Sequence, residues 1–164
     1  MQAEGEFALV IEKLEAALEL PGQPVKRGTM AHKHIMYMML AEAAAQLRDA
    51  GALARYATQL EELAVRDDHQ PYLAVAHRAW GVVHRLNGAT AEAGERLAQA
   101  LALFEEQGAS WQAGRTLAEL GALALAQGDE SGARDYYEQA LAAFELMEAL
   151  PDVERTRAAL QAIG

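Results

Sequence analysis

The stretch that decides the fold runs from Leu117 to Phe144 and reads LAELGALALAQGDESGARDYYEQALAAF. Ala and Leu dominate both halves, and they favour α-helix because they lose little side-chain entropy in that conformation. Gly128 and Asp129 interrupt the helical pattern, and a glycine there can adopt the left-handed backbone conformation that ends many helices. The stretch therefore predicts a helical hairpin that reverses at Gly128.

The same pattern occurs forty residues earlier in the chain. At a shift of 40 several positions are identical, and two glycines and one phenylalanine are among them. A fainter upstream copy matches at a shift of 37, which places Gly51 under Gly88 and Arg48 under Arg85. Gly51 is therefore predicted to reverse the first hairpin. The identical pairs include Gly81/Gly121, Gly88/Gly128, Ala93/Ala133, Ala100/Ala140, Leu101/Leu141 and Phe104/Phe144.

These repeats predict how the chain is organised. One hairpin cannot bury its apolar face alone, so neighbouring hairpins must stack to form a continuous core. We expect a single all-α domain over residues 1–164, an α-solenoid of about seven to eight helices. Its predicted parts are a lone N-terminal helix at 7–20, a degenerate repeat at 34–66, repeats at 72–106 and 111–148, and a C-terminal capping helix at 151–163.

The two better copies resemble the tetratricopeptide repeat family. The resemblance rests on Leu120-Gly121, Gly128-Asp129, Ala133, Tyr137 and Ala140-Leu141, which occur in that family's order. The period of 40 is longer than the usual period of about 34 and also falls in the range of HEAT and armadillo repeats. The resemblance implies a right-handed superhelix in which the first helix of each hairpin lines a concave groove. Long repeats of this kind look like those in the sensor arrays of bacterial LuxR-type regulators and signal-transduction ATPases.

The composition argues against several classes of function. The chain has 24 acidic and 14 basic residues and a formal net charge of −10, which disfavours nucleic-acid binding. It has no cysteine and no apolar run long enough to span a membrane, and its first residues, MQAEGEF, have neither the basic flank nor the apolar core of a signal peptide. We expect a soluble, cytoplasmic protein without a cofactor and without membrane or nucleic-acid partners.

The arginines are distributed unevenly along the repeats. Arg78, Arg85 and Arg115 lie on first helices, whereas the last outer helix is crowded with acidic residues. Because the guanidinium fork binds carboxylate or phosphate with two hydrogen bonds, we predict a groove for an acidic or phosphorylated protein or peptide segment. The alternative is that the arginines balance the acidic helices across each hairpin. The predicted groove residues are Met38, Arg48, Arg78, Val82, Arg85, Trp111 and Arg115.

No arrangement of residues indicates catalysis or metal binding. His77 and His84 are seven residues apart in packing positions, whereas a helical metal site needs ligands at i and i+4 and a third from elsewhere. We expect a non-enzymatic binding scaffold or regulatory module, a piece of a larger signalling or transcription-regulator protein. Trp111 is predicted to seal the joint between the second and third copies or to anchor a partner. The alternative function is a domain that senses a small acidic ligand or self-associates as a homo-oligomer.

Overall fold

Helices account for nearly all of the chain that the computed structural model describes, which is residues 2–19 and 30–163. From α2 onwards each helix begins twenty residues after the previous one, so two helices and two short turns make one forty-residue unit. The eight helices are α1 (Gln2–Glu19), α2 (Met30–Gln46), α3 (Ala50–Arg66), α4 (Gln70–Leu86), α5 (Thr90–Glu106), α6 (Ser110–Ala126), α7 (Glu130–Leu146) and α8 (Leu150–Ala162).

The predicted all-α solenoid is confirmed. Every helix packs against its neighbours in sequence, and α2, α4 and α6 also contact one another, so the first helices of successive hairpins form one layer. Within the described ranges there is no strand. Residues 1, 20–29 and 164, which the predicted domain includes, lie outside the described residues.

The six turns between α2 and α8 repeat one backbone geometry. In each of them one residue has a positive φ, and the next residue donates its N–H to a carbonyl five positions back, over 2.8 to 3.1 Å. This is the arrangement in which a left-handed residue satisfies the free carbonyls at a helix end. The left-handed residues, with φ in parentheses, are Arg48 (54°), Asp68 (49°), Gly88 (79°), Gly108 (65°), Gly128 (78°) and Glu148 (53°).

The prediction that Gly51 reverses the first hairpin is wrong. Gly51 is the second residue of α3, and Arg48 occupies the left-handed position that Gly88 occupies one copy later. The shift between the first and second copies is therefore 40 residues rather than 37. The register was misplaced because Arg48 adopts the left-handed conformation at an energetic cost. The first turn therefore has no glycine that could be aligned with Gly88.

Small residues allow the paired helices to approach closely. A Cβ atom added at Gly81 would lie 2.5 Å from Leu97 Cγ, and one added at Gly121 would lie 3.0 Å from the ring of Tyr137. Ala93 is fully buried at the crossing of the same pair of helices as Gly81. This close packing fixes α4 and α6 against their outer partners and so determines which of their faces remain open.

Candidate binding groove

The first helices of the hairpins line a groove on the inner side of the solenoid. A cleft of about 350 Å³ is bordered by the C-terminal end of α2, by α4 and α6, and by α8. Helices α2 and α8 are separated in sequence by five helices, so they can border one cleft only if the array curves inward. This face is therefore concave.

The lining of this cleft is positively charged, although the whole chain has a net charge of −10. Four arginines and two acidic residues line it, which leaves two positive charges in excess. We call this part of the groove the basic cleft. Its charged residues are Arg48, Arg85, Arg115, Arg155, Glu119 and Asp152.

Beneath the basic cleft, one carboxylate holds two arginines. Arg78 Nη2 donates to Glu42 Oε1, and Arg115 Nη2 donates to Glu42 Oε2. Arg78 also donates from Nη1 to Gln112 Oε1 at 2.6 Å, and its guanidinium lies 5.3 Å from the ring centroid of Phe104. Arg78 is only 4 % exposed, so its charged group lies in the floor of the groove.

The charges around Glu42 keep it ionised. Burial by itself would raise the pKa of the Glu42 carboxyl, but the attraction and hydrogen bonds of the Arg78 and Arg115 guanidinium groups outweigh it, so the pKa is lowered. Burial also lowers the pKa of Arg78, against the opposing effect of the Glu42 carboxylate. We call the three residues Glu42, Arg78 and Arg115 the inner clasp, because they join α2, α4 and α6.

Arg85 lies on the wall of the basic cleft. Its Nη2 donates to Glu119 Oε2 at 2.7 Å, and its Nε is buried without a hydrogen-bond partner among the described residues. The acidic partners of Arg78, Arg85 and Arg115 thus lie on other inner helices. These three arginines therefore pair with carboxylates of neighbouring inner helices rather than with the outer helix of their own hairpin.

Trp111 lies near the N-terminal end of α6 and contacts α8. Its Nε1 donates to Asp152 Oδ2 at 2.9 Å, and the Arg115 guanidinium carbon lies 5.0 Å from its ring centroid. Asp152 also accepts a hydrogen bond from Arg155. The hydrogen bond of Trp111 therefore links the third copy to α8, and its sealing of the joint between the second and third copies stays a prediction.

The remaining predicted residues are dispersed. Arg48 is exposed in its turn at the edge of the basic cleft, and Val82 is buried in the floor. Met38 is partly buried and packs against the hydrophobic cluster that contains Val75. The prediction missed Arg155, although it repeats Arg115 forty residues later.

The histidines do not gather into a metal site in the described ranges, where no three His, Asp or Glu side chains are placed to hold an ion. His77 Nδ1 lies 2.7 Å from Arg96 Nη1, and burial together with this cation lowers the pKa of His77, against the opposing effect of Glu61. His84 stacks on Trp80 with the ring centroids 5.7 Å apart. None of the described helices has the length and apolarity needed to cross a membrane.

Stacked helical hairpins whose first helices line a common groove define the class of α-solenoid repeat proteins. Residues 72–146 match the family model described as Tetratricopeptide repeat, and this match confirms the resemblance to that family seen in the sequence. Comparison with curated proteins and with solved structures gave no match. Tetratricopeptide repeats generally serve as scaffolds for protein–protein interaction, so the family match indicates a protein-binding role in general terms.

Proposed function

We propose that the protein is a non-catalytic scaffold that binds an acidic segment of another protein in the basic cleft. The observation that carries this proposal is the excess of arginine in the cleft of a strongly acidic chain. Such a localised positive field attracts an anionic ligand. We also propose that this scaffold has a regulatory role within a larger cytoplasmic signalling protein.

The accessible arginines suit this ligand. Arg48 and Arg155 are exposed, and Arg85 and Arg115 retain 20 % and 18 % of their side-chain surface. A carboxylate entering the cleft can therefore reach guanidinium N–H groups without breaking the inner clasp. Charge-assisted hydrogen bonds of this kind are roughly twice as strong as neutral ones. Because the cleft extends from α2 to α8, it fits an extended peptide better than a single small acid.

The test is a binding measurement with matched variants. A fluorescein-labelled polyglutamate peptide is titrated with the protein and followed by anisotropy, with free glutamate and phosphoserine as competitors. Arg48→Gly combined with Arg155→Ser should weaken binding by roughly tenfold, because it removes two accessible donors. Arg48→Gly keeps the turn intact, since glycine occupies the equivalent position in the next copy.

The control removes the same number of positive charges away from the groove. Arg66→Ser and Arg157→Ser each remove an exposed arginine, and these two pair with Asp67 and Glu145. This control should bind the peptide like the unmodified protein. Equal affinity for all three proteins would refute the proposal, and displacement of the peptide by millimolar glutamate alone would favour a sensor of small acidic ligands. Reversing the charge of Arg78 is not a suitable test, because Arg78 is buried in the inner clasp.

A further inference from the structure

A second cleft lies on the outer side of the solenoid, between α5 and α7. Its volume is about 430 Å³. Leu120 and Leu123 of α6 form its floor, Ala98 and Leu101 of α5 form one wall, and Tyr136 of α7 forms the other. We call this the outer cleft. It shares no lining residue with the basic cleft.

The same joint one copy earlier is bridged by polar groups. Between α3 and α5, Trp80 Nε1 donates to Glu61 Oε2 at 2.9 Å, and Arg96 Nη1 donates to Glu61 Oε1 at 2.7 Å. The large indole and the ion pair thus connect the inner helix to both outer helices. The joint between α3 and α5 can therefore be compared, position by position, with the outer cleft between α5 and α7.

In the outer cleft these three positions carry different chemistry. Forty residues after Trp80, Glu61 and Arg96 stand Leu120, Leu101 and Tyr136. A leucine is smaller than a tryptophan, and two leucines can neither donate nor accept a side-chain hydrogen bond. The polar bridge is therefore replaced by an open surface of apolar side chains.

The rim of the outer cleft is acidic. Glu105 and Asp129 border it, and α5 and α7 together carry eight acidic residues against two arginines. An apolar floor inside an acidic rim is complementary to a segment that combines an apolar side chain with positive charges. A second copy of the chain fits poorly, because it would bring another protein of net charge −10 against this rim.

We propose that the outer cleft binds a basic amphipathic helix of a partner protein. One leucine-sized side chain of the helix sits between Ala98 and Tyr136, over the floor formed by Leu120. Lysine or arginine residues on either side of it face Glu105 and the acidic surface of α5 and α7. This site is independent of the basic cleft and accepts a ligand of opposite charge, so the two can be occupied at once.

The experiment uses the full chain and a synthetic helical peptide of leucine and lysine. Ala98→Leu places a side chain in the cleft and should weaken binding by about tenfold or more, since it denies burial to the ligand's leucine. Leu120→Trp, which restores the residue of the preceding copy, should have the same effect by filling the floor. Thr58→Leu is the matched control, because Thr58 is the equivalent of Ala98 one copy earlier, and it should leave the affinity unchanged.

Three results would overturn the proposal. The first is an equally tight complex with a peptide in which alanine replaces leucine, because charge alone would then explain binding. The second is unchanged affinity in both Ala98→Leu and Leu120→Trp, with each variant shown to be folded by its unfolding transition. The third is a homodimer in light scattering that Ala98→Leu abolishes. Arg48→Gly with Arg155→Ser should not affect this peptide, so a failure here is separate from a failure of the basic cleft.

Discussion

At the scale of the residue, the six turns divide into two energetic classes. Glycine holds the left-handed position in three of them, and Arg48, Asp68 and Glu148 hold it in the others. A side chain with a Cβ atom is strained there by about 1–2 kcal/mol, whereas glycine is not. The three turns with a non-glycine residue at this position are therefore less stable than they would be with glycine.

Replacing Glu148 or Asp68 by glycine should raise the free energy of unfolding by about 1 kcal/mol each, through relief of this strain. Urea unfolding followed by circular dichroism measures the change. The reciprocal control is Gly128→Ala, which puts a Cβ at an equivalent turn and should lower stability by a similar amount. A loss of stability in both glycine variants would contradict the assigned turn geometry.

Two glycines inside helices have opposite roles. A Cβ at Gly81 would lie 2.5 Å from Leu97 Cγ, whereas a Cβ at Gly94 would lie 3.8 Å from Leu123 Cδ2, in ordinary contact. Gly81→Ala should therefore lower the free energy of unfolding by about 1–3 kcal/mol through overpacking. Gly94→Ala should raise it by about 0.5–1 kcal/mol through helix propensity. Thermal unfolding of the two variants in parallel measures both effects. Equal shifts of the two midpoints in the same direction would contradict the opposite roles of Gly81 and Gly94.

At the scale of the element, the inner clasp ties three helices together. Removing the carboxylate with Glu42→Ala leaves Arg78 buried without its charge partner, and we expect a loss of about 3–5 kcal/mol in the free energy of unfolding. The exposed Glu138 on α7 provides the control, since Glu138→Ala should change stability by less than about 0.5 kcal/mol. Equal effects of the two substitutions would show that the clasp contributes nothing.

The clasp also gives stability a defined pH dependence. The pKa of Glu42 is lowered in the folded protein, so its contribution is complete above the ordinary glutamate pKa and is lost as pH falls toward the lower folded value. Urea unfolding from pH 7 to below pH 4 should show a decline in stability that is shallower in Glu42→Gln. An identical slope in Glu42→Gln and in the unmodified protein would mean that Glu42 is not held by the two arginines.

Helix α8 repeats the inner face of α6 but not the edge of α6 that contacts α7. Arg155 and Thr156 repeat Arg115 and Thr116, and each threonine donates its hydroxyl to a carbonyl four residues back. At the positions where α6 packs against α7, however, α8 carries exposed polar residues. We propose that this polar edge makes α8 the capping helix. The polar positions are Glu154, Arg157 and Gln161, and the equivalent positions of α6 are Gly114, Leu117 and Gly121.

Restoring the residues of α6 on α8 tests this role. The triple variant Glu154→Gly, Arg157→Leu and Gln161→Gly gives α8 a face that accepts another helix, so we expect association that increases with concentration. Light scattering over a dilution series measures it. A monomer at every concentration would contradict the capping role, provided that circular dichroism shows an unchanged helix content.

At the scale of the whole molecule, the repeats predict the fold because each close contact between helices requires a small residue. Gly81 and Gly121 mark those contacts, and their spacing revealed the forty-residue unit. The register of the first copy could not be found in this way, because Arg48 replaces glycine in the turn. The inner clasp was also beyond prediction. Arg115 reaches Glu42 across 73 residues only because the array curves, and no local pattern encodes that curvature.

The basic cleft is tested most directly by following its arginines individually. In a titration with polyglutamate, the Nε–Hε NMR signals of Arg48, Arg85 and Arg155 should shift together and saturate at one midpoint. The signals of Arg66 and Arg157, which pair with Asp67 and Glu145 outside the cleft, should stay in place. Saturable shifts confined to Arg66 and Arg157, or no saturable shift in any of the three cleft arginines, would contradict a groove that binds acidic segments.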